Sequence, residues 1–275
     1  MRIMFAGDWH GNTNFASAVI ARAAEHDCTH VVQLGDFGFW PGEFGDRYLI
    51  ELSNACSEHS VDLYVIHGNH DDPDRWQTYE LNDDGFGVIR DRMFFCPDGF
   101  RWEWDYLELG ALGGAASIDR EWREVRRREG LGRVWWPEEM ITPEAVRDVA
   151  APHFRTGEPH RLDILVTHEG PSWTGAGYAA GHPGMHFPIY DEARSAMCRA
   201  LVDTAAQATK PWAHFHGHHH KRGIGYAPWH SPDEPRTLFE TGVVIGLDAD
   251  VNGSMVQNTH IIDTETDVPP LSVAL

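Results

Sequence analysis

Residues 7–12 read Gly-Asp-Trp-His-Gly-Asn and follow a short apolar run, Arg2–Ala6. The apolar run predicts a buried strand. Asp8 and His10 are two positions apart, so the end of that strand would direct a carboxylate and an imidazole to the same side. Oxygen and nitrogen donors held together in this way are typical metal ligands. The stretch therefore predicts a metal site at the end of the first strand.

The same arrangement recurs four times further along the chain. In each case an apolar run that predicts a strand leads into a fragment with acidic, amide or imidazole side chains. These fragments are Gly35-Asp36-Phe37-Gly38, Gly68-Asn69-His70-Asp71, Thr167-His168-Glu169-Gly170 and Gly217-His218-His219-His220. Helical spacing at Asn14–Glu25 and around Tyr48–Cys56 separates the first three predicted strands. Such a βαβαβ order predicts a mostly parallel sheet covered by helices.

The second half of the chain predicts a second sheet packed on the first. Met93–Phe95 and Trp102–Leu109 are expected to be antiparallel strands, and a helix is expected over Glu192–Ala208. Two closing strands are expected over Thr237–Leu247 and Gln257–Asp263, with Asn252-Gly253 as a hairpin turn between them. Residues 117–150 form a polar insert rich in arginine and tryptophan. We therefore expect one domain over residues 1–275, with a cap-like insert around 113–150.

Strand ends in open α/β sheets meet at one edge, and binding sites are built there. The side chains expected to converge are Asp8, His10, Asp36, Asn69, His168, His218 and His220. This set has oxygen and nitrogen donors and no thiolate, so it suits Mn²⁺, Fe, Zn²⁺ or Ni²⁺. Two ions close together need a shared carboxylate, and Asp36 is the natural bridge.

Composition narrows the class of protein. Hydrophobic residues make up 42% of the 275 residues and charged residues 23%, which is ordinary for a globular domain. No apolar run approaches the roughly 20 residues that span a bilayer, and no export signal is evident, so we expect a cytoplasmic protein. The four scattered cysteines are expected to be reduced thiols. The net charge of −20 works against nucleic acid binding without excluding it, and it permits a small anionic substrate held by metal ions.

The five ordered motifs together resemble the calcineurin-like metallophosphoesterase superfamily over residues 1 to about 222. The resemblance implies a four-layer α-β-β-α sandwich of two mixed sheets flanked by helices. It also implies two divalent metal ions, most readily manganese, and phosphoester hydrolysis by a hydroxide that bridges them. The chain departs from the common pattern at Thr167-His168, where many members have Gly-His. That departure leaves the ligand itself in place.

Carried over residue by residue, the resemblance divides the ligands between two ions. One ion would take Asp8, His10, Asp36 and His220, and the other would take Asp36, Asn69, His168 and His218. His70 would bind no metal. It would donate a proton or a hydrogen bond to the phosphate or the leaving group, with Asp71 or Asp36 orienting it. No serine or cysteine nucleophile is needed, so we expect no covalent intermediate.

The histidine run at residues 214–220 permits two registers. The Gly-His-x-His pattern fits Gly217, His218 and His220, whereas a shifted register would use His216 and His218. We favour the first register because a glycine must precede the pair. His216 is then a candidate for substrate contact, with a supporting position behind the ligands or exposure to solvent as the alternatives.

Two stretches could line the mouth of the site. The arginine-rich run after Gly113-Gly114 offers guanidinium groups that bind phosphate in a bidentate manner, and Arg120 and Arg123 lie nearest the glycines. Its interleaved glutamates are equally typical of a solvated, salt-bridged helix. The glycine-rich loop after His168 offers Trp173 and Tyr178 as substrate contacts, or it is an ordinary surface loop.

We expect a dinuclear metal-dependent phosphoesterase that acts on a small phosphodiester or a nucleotide. The alternatives are a phosphomonoesterase, including a phosphoprotein phosphatase, a nuclease, and a scaffold without catalysis. The segments around 113–116 and 135–171 are similar to a bacterial and phage subgroup whose substrate is unassigned. A weaker likeness to the RNA lariat debranching branch conflicts with the acidic charge. The sequence leaves the oligomeric state open.

Overall fold

A computed structural model describes residues 1–129, 134–152, 161–174, 187–228 and 241–266, and these residues form two six-stranded sheets. The first sheet has the order β12-β1-β2-β3-β5-β4. Its strands are β1 (Arg2–Ala6), β2 (His30–Gln33), β3 (Asp62–Val65), β4 (Gly87–Arg90), β5 (Met93–Phe95) and β12 (Thr259–Asp263). Neighbouring β1, β2, β3 and β5 are parallel, whereas β12 and β4 pair antiparallel at the two edges.

The second sheet has the order β10-β11-β9-β8-β7-β6. Its strands are β6 (Arg101–Trp104), β7 (Leu107–Leu112), β8 (Ile164–Thr167), β9 (Ala213–His216), β10 (Gly223–Pro228) and β11 (Thr241–Gly246). The four central strands are parallel, and the two edge strands are antiparallel to their neighbours. Both sheets are therefore mixed, and in each the parallel strands direct their carboxyl ends to one edge.

Helices cover the outer face of each sheet. The helices are α1 (Thr13–Glu25), α2 (Gly42–His59), α3 (Pro73–Trp76), α4 (Arg120–Arg128), α5 (Pro143–Val149), α6 (Ile189–Thr209) and α7 (Met255–Asn258). The apolar faces of α1 and α2 pack on the first sheet, and those of α5 and α6 pack on the second. The predicted α/β class and its four-layer α-β-β-α arrangement are confirmed. None of the helices in the described ranges is long and apolar enough to cross a bilayer.

Helix ends follow local capping chemistry. The side chain of Asn12 accepts a hydrogen bond from the Phe15 amide, and that of Thr142 accepts one from the Ala145 amide. Each of these side chains satisfies a donor that the first turn of a helix leaves without a partner. The α1 cap comes directly after the first metal-type motif, so the helix start fixes where that loop ends.

The layer between the two sheets is an apolar core. Phe5 on β1 and Phe215 on β9 stack across it with ring centroids 4.1 Å apart and planes within 4°. Neither ring has any exposed surface. β1 and β9 both lead directly into predicted ligands, so this stack fixes the distance between the two halves of the site.

Two strand predictions in the second half are wrong. Asn252-Gly253 does turn the chain, but β11 and β12 belong to different sheets and are not a hairpin. A short 3₁₀ helix over Asp250–Asn252 and α7 carry the chain from one sheet to the other, because β12 pairs with β1. The expected antiparallel strands around Met93–Phe95 and Trp102–Leu109 also separate. β5 joins the first sheet, and the second stretch folds into the β6–β7 hairpin.

The insert predicted around 113–150 holds α4, a 3₁₀ helix over Pro137–Glu139, and α5. Both of its ends are buried, whereas the helix between them is largely exposed. Ala115 and Ala116 are fully buried, and α5 contributes Val146 and Val149 to the core beneath the second sheet. α4 is exposed except for Arg123. A cap-like role for the insert therefore stays a prediction that concerns α4 and the segment after it.

We expect Phe215→Ala to lower the free energy of unfolding by about 3–5 kcal/mol, because it removes a fully buried ring and leaves a cavity between the sheets. Urea denaturation in the presence of a chelator would measure this change without a contribution from bound metal. Ile224→Ala on β10 is the control, since Ile224 is 63% exposed and surface substitutions change stability by about 0.5 kcal/mol or less. A loss below about 1 kcal/mol for Phe215→Ala would contradict a close-packed interface.

Candidate metal centre

All seven predicted ligands follow the carboxyl ends of parallel strands, at the edge where the two sheets face each other. The positions follow β1 (Asp8, His10), β2 (Asp36), β3 (Asn69), β8 (His168) and β9 (His218, His220). The donor atoms of six of them, all except Asn69, form two groups, each with all its atoms within 4.8 Å of one another. One group holds Asp8, His10, Asp36 and His220, and the other holds Asp36, His168 and His218. Asp36 belongs to both.

The first group has the separations of ligands around one ion. His220 Nε2 lies 3.1 Å from Asp8 Oδ2, and His10 Nε2 lies 3.5 Å from Asp36 Oδ2. Atoms bound to one ion at about 2.0–2.2 Å lie roughly 3 to 3.6 Å from each other. Within the described residues, Asp8 Oδ2 and Asp36 Oδ2 are buried and accept no hydrogen bond. Buried carboxylate oxygens without donors are costly, so the residues fit a divalent cation.

The second group centres on His168, which is fully buried. Its Nδ1 lies 2.7 Å from the Leu34 carbonyl, which directs Nε2 toward Asp36 Oδ1 at 3.3 Å and Asn69 Oδ1 at 3.0 Å. The amide nitrogen of Asn69 donates to Ser117 Oγ, so its oxygen faces His168. These contacts orient imidazole nitrogen and amide oxygen inward, as metal ligands are oriented.

Supporting contacts from remote segments hold the ligands, and sequence reasoning missed them. Asp250 Oδ1 lies 2.8 Å from His10 Nδ1, which leaves Nε2 of that ring for the site. Carboxylates commonly orient metal-binding histidines in this way. Asp250 follows the end of β11, so the strand-end rule that found the ligands could have found it too.

The backbone turns sharply at four of the candidate ligands. His10, Asp36, His218 and His220 have φ values of 44°, 51°, 66° and 48°, in the left-handed region that residues other than glycine rarely adopt. Strained residues of this kind concentrate at functional sites.

Gly217 is required for a different reason. A Cβ at that position would lie 2.3 Å from Asp8 Oδ1, so a glycine must stand there for Asp8 to keep its place.

Neighbouring groups set the charges of the ligands. Burial would raise the pKa of the Asp36 carboxyl, but the neighbouring His168 and His10 outweigh burial and hold that pKa well below its usual range. Burial lowers the pKa of His10, whereas the neighbouring carboxylates of Asp250 and Asp36 raise it, with a net rise to about 11. The protonated imidazole and the ionised carboxylate stabilise each other. A divalent cation would replace that proton as the positive charge beside Asp36.

His70 lies at the edge of the two groups, with 36% of its side chain exposed. Its backbone amide donates to Asp36 Oδ1 at 2.8 Å, and its Nε2 lies 3.7 Å from Asp36 Oδ2. Burial and the neighbouring Arg123 lower the pKa of His70 to about 3, although Asp36 opposes that change. A neutral imidazole keeps one N–H that can donate a hydrogen bond.

The prediction of a catalytic Asp71 is corrected. The two oxygens of its buried carboxylate accept hydrogen bonds from the main-chain amides of Phe37, Gly38, Phe39 and Gly68. Asp71 therefore holds the β2 and β3 loops together. Of the two residues expected to orient His70, Asp36 is the one in contact with it.

The two arginine candidates have different surroundings. Arg123 is buried, and its Nη2 and Nη1 lie 2.7 Å and 3.2 Å from the two ring nitrogens of His70. Its Nε donates to Asp119. Arg120 instead donates to Asp191 at 2.7 Å and lies over the ring of Trp135. The structure thus brings Arg123 to the site, whereas Arg120 is engaged in the packing of α4 on α6.

The structure gives different answers for the remaining predicted substrate contacts, His216, Trp173 and Tyr178. His216 is 2% exposed and lies against Gly170 and Gly246, which fits the alternative of a supporting position behind the ligands. Trp173 lies in a short 3₁₀ helix, Ser172–Thr174, that Ser172 ties to Asp203 of α6. Its indole is partly exposed and stays a candidate. Tyr178 lies outside the described residues.

Two further buried residues, Glu169 and Glu139, support the ligands through hydrogen bonds and ion pairs. Glu169 lies between two histidines, with Oε1 2.9 Å from His219 Nε2 and Oε2 3.7 Å from His218 Nε2. Glu139 accepts from Ser117 Oγ at 2.5 Å and from Arg194 at 2.9 Å. Since Ser117 also holds Asn69, the insert and α6 both fix the orientation of that amide.

Comparison with known proteins agrees with this site. The family model for calcineurin-like phosphoesterases matches residues 1–222, which include all seven predicted ligands. No curated protein matches the chain. Among solved structures, TT1561 of Thermus thermophilus is 11% identical, with a TM-score of 0.47 over 95% of this chain and 98% of that chain.

Two phosphatases are similarly distant. A dimetal phosphatase from Danio rerio is 15% identical, with a TM-score of 0.49 over 90% of this chain and 87% of that chain. Purple acid phosphatase PPD1 from yellow lupin (Lupinus luteus) seeds is 16% identical, with a TM-score of 0.44 over 90% of this chain and 43% of that chain. Family membership rests on the match to residues 1–222 and not on these structures. The chain belongs to the calcineurin-like phosphoesterase family.

Proposed function

We propose that this metal-dependent phosphoesterase hydrolyses a small phosphodiester or a nucleotide. The observation that supports the proposal most directly is the pair of ligand groups that share Asp36, with His70 and Arg123 beside them. A shared carboxylate is the arrangement that two ions close together require. The net charge of −20 repels a long anionic backbone, whereas a small substrate meets the local charge of the ions and Arg123.

Asp8, His10, Asp36 and His220 would hold one ion, and Asp36, Asn69, His168 and His218 would hold the other. When bound, such ions polarise phosphoryl oxygens and activate water for in-line attack. Oxygen and nitrogen donors without thiolate suit Mn²⁺, which we expect, and also accommodate Fe, Zn²⁺ and Ni²⁺.

His70 and Arg123 would act on the phosphoester itself. His70 is held by Asp36 at the exposed side of the ligands, where it can donate a proton or a hydrogen bond to the departing oxygen. The terminal amino groups of Arg123 form a fork beside that ring, and its Nε is fixed by Asp119. A guanidinium fork gains far more from phosphate oxygens than from a neutral imidazole. We therefore assign Arg123 to binding of the phosphoryl group.

The shared ligand gives the first test. Wild-type protein loaded with Mn²⁺ should contain about two ions per chain by elemental analysis. Asp36→Asn should lower the occupancy of both sites, because both groups use this carboxylate. Asp27→Asn is the matched control, since 88% of the Asp27 side chain is exposed. Loss of a single ion in Asp36→Asn would contradict the bridging assignment.

The histidine register gives the second test. His220→Ala should release one ion and abolish hydrolysis, because His220 Nε2 lies with the first ligand group. His216→Ala should keep both ions, because that ring is enclosed away from both groups. Metal content and hydrolysis of bis(p-nitrophenyl) phosphate measure the two effects. If His216→Ala loses a metal ion while His220→Ala retains both, the shifted register is correct.

The third test separates binding of metal from chemistry. His70→Asn should lower kcat by about 10²–10⁴ on a diester with a poor alkoxide leaving group, with both ions still bound. The loss should shrink for a p-nitrophenolate leaving group, which departs with less help from a proton. Equal losses on both substrates would show that His70 positions the phosphate instead. An unchanged kcat on both would remove His70 from the reaction.

A further inference from the structure

A groove of about 400 Å³ lies beside α4 and is lined by Glu124, Arg127, Trp135 and Pro137. Small-molecule sites in proteins have volumes of about 300–1,000 Å³. Two of its walls are apolar, the indole of Trp135 and the ring of Pro137. The other two carry opposite charges, with Arg127 Nε 3.1 Å from Glu124 Oε2. The groove thus combines an aromatic surface with a hydrogen-bonding donor and acceptor.

Arg123 connects this groove to the proposed phosphate position. Its guanidinium contacts the His70 ring on one side and the Val134 carbonyl, at 3.4 Å, on the other. Val134 directly precedes Trp135. On α4, Glu124 follows Arg123, and Arg127 lies one turn further along the same face. A group attached to a phosphate bound at Arg123 would therefore extend into the groove.

One face of the Trp135 indole is available to the groove. The guanidinium carbons of Arg120 and Arg194 each lie 5.5 Å from the indole centroid. Both arginines also approach the same oxygen of Asp191, at 2.7 Å and 3.9 Å. Both arginines are thus paired with Asp191, while the indole itself lines the groove. Their contacts also hold the half-buried indole in place, which limits the entropy lost when a ligand stacks on it.

We propose that this groove binds the base of a nucleotide substrate, stacked on Trp135. Glu124 and Arg127 would meet donor and acceptor groups on the edge of the base. A nucleobase would use both features of the groove, the indole by stacking and the charge pair by hydrogen bonding. This inference rests on the proposed function and narrows its substrate to a phosphodiester that carries a nucleoside.

The test compares two ligands that differ only in the base. Isothermal titration calorimetry of the full chain loaded with Mn²⁺ would measure the binding of adenosine 5′-monophosphate and of ribose 5-phosphate. Both are monoesters, and so resemble the products of a diesterase. Stacking of one base strengthens binding by about 5- to 160-fold, so we expect the adenosine compound to bind more tightly by that factor.

Substitutions of Trp135 test whether the preference for the adenosine compound arises in the groove. Trp135→Leu keeps apolar volume and should abolish the preference for the base, while binding of ribose 5-phosphate stays unchanged. Trp135→Phe keeps an aromatic face and should retain most of the preference. Trp122→Leu on the exposed side of α4 is the control, because Trp122 is 58% exposed and contacts Arg126. Circular dichroism would verify that each variant is folded.

Equal binding of the two ligands by the wild-type protein would overturn the groove as a base site. So would a preference that survives in Trp135→Leu, since the base would then lie elsewhere. Hydrolysis of bis(p-nitrophenyl) phosphate by the same Mn²⁺-loaded protein tests the proposed function separately. An active enzyme without a preference for the base contradicts the groove alone, whereas an inactive one contradicts the proposed function.

Discussion

The buried carboxylate of Asp36 is the feature on which the rest of the site depends. Oδ1 accepts the His70 amide and faces His168, while Oδ2 faces His10 and His70. To reach this position, Asp36 adopts a φ of 51°, and the neighbouring loop must come close without a side chain. A Cβ on Gly68 would lie 2.1 Å from both the amide nitrogen and Oδ1 of Asp36. The backbone conformations of the loops after β2 and β3 thus both depend on the position of the Asp36 carboxylate.

This arrangement links metal binding to folding. Without a cation, two buried carboxylate oxygens that accept no hydrogen bond lie among histidines, some charged and some neutral. The fold therefore concentrates charge in a place where burial is unfavourable, and the packing between the sheets offsets that cost. Because the ligands come from both sheets, an ion bound there joins the two halves. A ligand that binds only the folded state stabilises it, so metal should raise the stability of the whole domain.

The strand-end motifs were predictable because they depend on local sequence. An apolar run of four or five residues followed by glycine or threonine and a polar residue specifies both the strand and its site-facing end, and this rule located Asp8, Asp36 and His168. Contacts between distant segments were not predictable in that way. Asp250 meets His10 across 240 positions, and His168 meets Leu34 across 134. The turn at Gly253 was likewise evident locally, but no local signal tells that β12 pairs with β1 instead of β11.

The insert was also only partly predictable: its basic run is evident in the sequence, but the position of each arginine side chain is not. In the sequence, Arg120, Arg123, Arg126 and Arg127 form one basic run, and closeness to Gly113-Gly114 favours Arg120 and Arg123 without separating those two. On α4 their different angles send Arg126 to an exposed tryptophan, Arg120 to the buried Asp191, and Arg123 inward to His70. Asp119 binds the Nε of Arg123, but the terminal amino groups meet the neutral His70 ring and the Val134 carbonyl, which stabilise a guanidinium less than an anion does. An anion that binds at the same point would stabilise the guanidinium further, which is why the insert, more than the strand ends, should determine which phosphoester this enzyme accepts.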